Sequence, residues 1–95
     1  DLMPEVPTVM ESGYKEVDVV GWFGLLAPRD TPRDVILRLN REIVAAINSP
    51  EIAKRLTDLG VEPASGTPEQ FAELMKSETS RWQGIVRSRN IQLDL

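Results

Sequence analysis

The longest apolar run lies at residues 17–28, VDVVGWFGLLAP, and the rest of the chain divides around it. Val17, Val19, Val20, Trp22, Phe23, Leu25 and Leu26 are nearly continuous rather than strictly alternating. Burial on both faces accounts for such a run better than a half-exposed strand does, so a central strand is expected at about 17–27. Gly21 and Gly24 would weaken a strand interior, and they point to a bulge or to a place where another backbone or a ligand comes close. Pro28 ends the run.

Downstream the apolar period changes to three and four. Val35, Ile36, Leu39, Ile43, Val44 and Ile47 fall on one face of a helix expected at about 32–48, with Arg38, Arg41 and Glu42 opposite. Thr31 is a good N-cap, Pro32 suits the first helical position, and Asp34 complements the helix dipole. The same device recurs at Ser49-Pro50-Glu51, which opens a shorter helix at about 50–59 with Ile52, Leu56 and Leu59 as its stripe. Gly60 is its expected stop. Val61 to Ala64 is expected to form a short strand at about 61–64, at a sheet edge because of Pro63. Thr67-Pro68-Glu69-Gln70 then opens a helix at about 68–88, with Gln70 at the capping-box position and Phe71, Leu74, Met75, Trp82, Ile85 and Val86 on one side. The closing tail has Ile91 and Leu93 as candidates for extended structure. The three cap-proline pairs start at 31, 49 and 67, but the segments between them differ in length and kind, so they are not a repeat.

Ahead of the apolar run, Pro4 and Pro7 predict an extended lead-in. Thr8 and Glu11 have the spacing of reciprocal capping partners, and a one-turn helix is expected at about 8–12, closed by Gly13 in a left-handed conformation.

Composition narrows the chemistry. The chain has 95 residues, a formal net charge of −4 from 11 basic and 15 acidic residues, and no cysteine or histidine. No basic face stands out, so nucleic acid is not an expected partner. Disulfides, cysteine nucleophiles and Ser-His-Asp machinery are excluded within these residues, and a zinc site would need carboxylates alone. No cofactor is expected. No segment approaches the ~20 consecutive apolar residues of a membrane span, and the opening Asp-Leu-Met-Pro-Glu has no signal-peptide pattern. An opening in mid-pattern without Met suggests a piece of a longer protein.

Carboxylate pairs such as Asp58 and Glu62, or Glu73 and Glu78, read as solvated surface groups, because acid–base work needs a shifted group in a cleft. Ser77, Thr79 and Ser80 lack a nearby base, and Gly21 and Gly24 have neither the P-loop nor the dinucleotide spacing. An enzyme is therefore not expected. Trp22 admits two readings: core packing, which large aromatics usually provide, or a ligand cleft, where a glycine-flanked strand leads to a helix start that can face an anion. Trp82 and Phe71 read as core.

An ordered set of residues carries a resemblance. Pro7-Thr8-Val9 with Glu11 and Gly13, Trp22-Phe23-Gly24-Leu25 with Ala27-Pro28, Thr31-Pro32, Leu39-Asn40, the step Leu56, Gly60, Glu62-Pro63, then Thr67-Pro68-Glu69 and the pair Glu78 and Trp82 run through almost the whole chain. Together they resemble the C-terminal portion of the tripartite tricarboxylate transporter receptors, the TctC-like or Bug solute-binding proteins of bacteria.

The resemblance implies an α/β architecture, part of a periplasmic-binding-protein type II fold, in which the chain is a single partial domain (1–95) completing lobe one of two. It implies capture of a small carboxylate (a di- or tricarboxylate, an aromatic acid or an amino acid) in a cleft in the periplasm, and delivery to membrane transporter subunits. The other expected partner is the N-terminal part of the same receptor. Thr8, Trp22, Phe23 and Gly24 are the candidate ligand-binding residues, although in the family the ligand oxygens are held largely by loops outside this stretch. An unpaired apolar edge invites a second chain, so a homodimer through residues 17–26 is also an expectation. The competing reading is a stand-alone helical protein-interaction module without a ligand, docking through the apolar faces of helices 32–48 and 68–88.

Overall fold

The computed structural model describes residues 3–92. Its regular structure is three α-helices: α1 (Arg33–Ile47), α2 (Pro50–Asp58) and α3 (Pro68–Ser88). Each follows a proline-containing start. Pro32 is the N-cap of α1, and its carbonyl accepts the Ile36 N–H at 3.1 Å. The proline therefore sits one position before the place expected for it, with Arg33 as the first helical residue. Ser49 precedes α2 in extended geometry with Pro50 inside the first turn. Its hydroxyl turns back to donate to the Ala46 carbonyl at 2.7 Å rather than capping α2. Only α3 has the full capping box. Gln70 N–H donates to Thr67 Oγ1 at 3.1 Å, and Thr67 N–H donates to Gln70 Oε1 at 2.9 Å.

The helix ends are as specific as the starts. After α2, Gly60 takes φ +76°, its N–H donates to the Thr57 carbonyl at 2.9 Å, and Val61 N–H donates to the Leu56 carbonyl at 2.8 Å. This pair of crossed bonds is a Schellman motif, and it satisfies carbonyls that the helix itself leaves open. α3 closes the same way with Asn90 at φ 49°, through Asn90 N–H to Arg87 O at 3.3 Å and Ile91 N–H to Val86 O at 3.0 Å. Asparagine tolerates the left-handed region better than most side chains do.

The expected architecture needs correction at three places. No strand or sheet forms among the described residues, so the α/β, periplasmic-binding-protein type II arrangement is not what they adopt; they are helical with irregular connections. Residues 17–27 form no ladder. An apolar run sets which side chains seek burial, but a strand exists only where a second backbone takes up its N–H and C=O groups. Residues 61–64 form no strand either: the Val61 N–H is already used in closing α2, and Pro63 has none to give. Residues 8–12 make one hydrogen-bonded turn instead of an α-helix. Ser12 N–H donates to the Thr8 carbonyl at 3.0 Å, and Gly13 (φ +103°) and Tyr14 at once close the turn onto Met10 and Val9. Of the extended segments expected at the two ends, Asp1, Leu2 and Leu93 lie outside the described residues.

The chain divides into two units, one up to Asp30 and one from Thr31 onward. In the second, α1 touches both α2 and α3. The half-buried positions are Ile36, Asn40, Ile43, Val44 and Ile47 on α1, Ala53 and Leu56 on α2, and Pro68, Phe71, Met75, Glu78 and Arg81 on α3. The stripe of α1 is thus turned from the expected one: Asn40 is on it, while Val35 and Leu39 are exposed. No described residue is fully buried. Trp82, expected in a core, is 41% exposed, and Leu59, the C-cap of α2, is 77% exposed. Fully burying one such side chain contributes roughly 1.5–3 kcal/mol, so half-burial along these stripes secures the helices only modestly.

Candidate functional site

Of the four candidate residues, Thr8 belongs to the capped turn. Its Oγ1 accepts the Glu11 N–H at 3.1 Å, its N–H donates to Glu11 Oε2 at 2.8 Å, and its carbonyl takes the Ser12 hydroxyl at 2.9 Å. Every bond described for Thr8 closes within residues 8–12, which accounts for Thr8, Glu11 and Ser12 as a local capping set. Gly13 supplies the left-handed residue that lets the chain leave this turn.

Trp22, Phe23 and Gly24 are consecutive in the irregular apolar segment that follows. Phe23 is 93% exposed, and Leu25 and Leu26 beside it are exposed as well. Trp22 is more covered than Phe23, and it takes part in an interaction of its own. Open space surrounds the position where a Cβ would stand on Gly21. The structure therefore brings Trp22, Phe23 and Gly24 together by sequence adjacency alone, on one irregular stretch.

A second set of polar groups lies in the helical unit. Asn40, in the middle of α1, donates from Nδ2 to the Gly66 carbonyl at 2.9 Å. At the C-cap of α1, Asn48 Nδ2 reaches Ser65 Oγ at 3.4 Å. The Arg33 guanidinium pairs with the Glu69 carboxylate in the first turn of α3. The Glu69 backbone N–H, and then the hydrogen bond from Arg33, hold this carboxyl below the usual glutamate range. All three contacts connect α1 or its C-cap to the first turn of α3 or the segment just before it.

Farther along α3, Glu78 is not the solvated carboxylate expected from the sequence. It is half-buried, with Trp82 Nε1 donating to Oε2 at 3.0 Å and Arg81 Nη1 lying 3.6 Å from Oε1. The Arg81 guanidinium carbon stands 5.6 Å from the centre of the Trp82 ring, within cation–π range. On α2, Lys54 pairs with Asp58 at 2.6 Å and Arg55 with Glu51 at 3.4 Å, each one helical turn apart on the surface. These contacts orient helices.

Sequence patterning missed Asn40 and Glu78, yet both had a signal. Asn40 follows Ile36 by four and precedes Ile43 by three, and Glu78 follows Met75 by three and precedes Trp82 by four. A polar residue on an apolar stripe must find a hydrogen-bond partner, and each has one. Among the described residues, no group of three or more His, Cys, Asp or Glu could hold a metal ion. Among them, too, no helix is long and apolar enough to cross a membrane.

These residues define a helical unit whose three helices start at prolines and of which α2 and α3 close in Schellman motifs, preceded in sequence by a capped turn and an exposed aromatic stretch. Residues 1–91 match the family model described as the tripartite tricarboxylate transporter family receptor, and the chain belongs to that family. Among curated proteins it is 47% identical over 85 residues to the UPF0065 protein in the tcbD-tcbE intergenic region of Pseudomonas sp. strain P51, covering 88% of this chain and 25% of that protein. It is 36% identical over 90 residues to protein BugT of Bordetella pertussis, covering 95% of this chain and 28% of BugT. A UPF0065 protein of Agrobacterium vitis is 32% identical over 89 residues, covering 90% of this chain and 26% of that protein. The chain thus spans about a quarter of the length of these three relatives. No solved structure matches it significantly.

Proposed function

We propose that these residues serve in an extracytoplasmic solute receptor that hands a small carboxylate to a tripartite tricarboxylate-type transporter. The observation that carries this reading is the family match over residues 1–91. The chain contributes one part of one lobe of a two-lobed receptor, and the remaining part of that receptor and the transporter's membrane subunits are its partners. The ligand is a di- or tricarboxylate, an aromatic acid or an amino acid, bound in the periplasm. The protein binds and releases this solute without transforming it.

Within the receptor, the Trp22-Phe23-Gly24 stretch and Thr8 face the cleft. The exposed Phe23 side chain and the irregular backbone of Phe23 and Gly24 support this assignment, because N–H groups outside a sheet ladder can donate to acceptor oxygens. A carboxylate accepting several such bonds gains charge-assisted contacts even in a chain of net negative charge. Closure of two lobes would exclude water from the bound acid, so the 95 residues alone are expected to hold carboxylates weakly.

Two measurements test the reading. Isothermal titration of the 95-residue chain with di-, tri- and aromatic carboxylates should give no micromolar affinity; a micromolar ligand would overturn the dependence on a second lobe. In the complete receptor, Trp22→Ala and Gly24→Val should each weaken the best carboxylate at least about tenfold, which corresponds to roughly 1.4 kcal/mol. Unchanged affinity in both variants would remove these residues from the cleft. If no member of the carboxylate panel binds the complete receptor, the ligand class itself is wrong. A homodimer through residues 17–26 is tested by sedimentation at high concentration, where a clean monomer excludes it.

A further inference from the structure

We draw no further inference here: the strongest candidate, the exposed apolar stretch around Phe23, Leu25 and Leu26 ahead of the helices, carries nothing beyond the proposed receptor because nothing in the structure shows what covers it.

Discussion

Asn40 donates its side-chain amide to the backbone carbonyl of Gly66, 26 residues later and immediately before the cap of α3. This bond fixes the segment between α2 and α3 against the middle of α1. Asn40→Leu removes the donor while keeping an apolar-compatible shape, and a net loss of about 1 kcal/mol is expected. Asn40→Asp should cost more, because it sets a carboxylate against a carbonyl. Denaturant unfolding followed by far-ultraviolet circular dichroism orders the variants. Equal stability in wild type and both variants would mean that the bond contributes nothing.

The start of α3 depends on a reciprocal pair, and α2 lacks one. Thr67→Ala should therefore cost about 1 kcal/mol, the usual loss for a bonded N-cap. Ser49→Ala should cost about 0.5 kcal/mol or less, since its hydroxyl bonds backwards to exposed Ala46. Gly66→Ala probes the same cap from outside. A Cβ there would stand 2.6 Å from Gln70 Oε1, the oxygen that receives the Thr67 N–H. Gln70 can swing away, but only by giving up its capping bond. The unfolding midpoint should fall for Thr67→Ala and Gly66→Ala by similar amounts, and hardly at all for Ser49→Ala.

Two glycines are expected to answer in opposite directions. Gly60 closes α2 at φ +76°, where a side chain is strained, so Gly60→Ala should destabilise by about 1–2 kcal/mol. Gly84 sits inside α3 with open space at its Cβ position. Gly84→Ala removes the entropy that glycine loses in a helix and should stabilise by about 0.5–1 kcal/mol. Thermal unfolding of the two variants reads both signs. A stabilising Gly60→Ala would contradict the Schellman geometry.

How much of this was legible follows from the range of each interaction. Helix starts and stops are written within five or six residues. Thr67 to Gln70 and Leu56 to Gly60 could therefore be read directly, the Thr8–Glu11 pairing was read although it closes a turn and not the helix expected at 8–12, and the helices expected at 32–48, 50–59 and 68–88 agree with α1, α2 and α3 to within a residue at each end. Strand identity in residues 17–27 depends on a partner backbone that the run itself does not encode, so its apolar character was read correctly and its conformation was not. The rotation of the α1 stripe was hidden for a different reason. Apolar counting passed over Asn40 because its value lies in Gly66, which no local pattern links to it. Within the candidate site, the capping role of Thr8 was visible from Glu11, whereas nothing local to Trp22, Phe23 and Gly24 states what they face.

The indole of Trp82 offers a reporter for the Glu78 contact. The chain has two tryptophans, so a Trp22→Phe background isolates Trp82. In that background Glu78→Ala removes the acceptor of the Trp82 N–H and the ion-pair partner of Arg81, and emission should move to longer wavelength as water takes over the indole N–H. Glu78→Gln keeps an acceptor oxygen and should move it less. Identical spectra for all three proteins would show that the indole makes no bond to residue 78 in solution.

The pairing of Arg33 with Glu69 has a pH signature whose sign is fixed. The Glu69 carboxyl is held below the ordinary glutamate range, first by its backbone N–H and then by Arg33. Between its folded and unfolded values the unfolded chain binds more protons, so stability rises with pH there. The contribution is fully present above the unfolded value and is lost as pH falls through the lowered folded one. Because the pair is exposed, the effect is small and weakens with salt. A carboxyl-resolved NMR titration should place Glu69 below the ordinary glutamate range. Arg33→Met should return only part of that displacement, since the larger cause lies in the backbone at the start of α3. Thr67→Ala combined with Arg33→Met should return more of it, because Thr67 also donates to this carboxylate and its loss loosens the helix start that presents the N–H. If Arg33→Met alone restored an ordinary titration, the ion pair rather than the helix terminus would be what holds Glu69 charged.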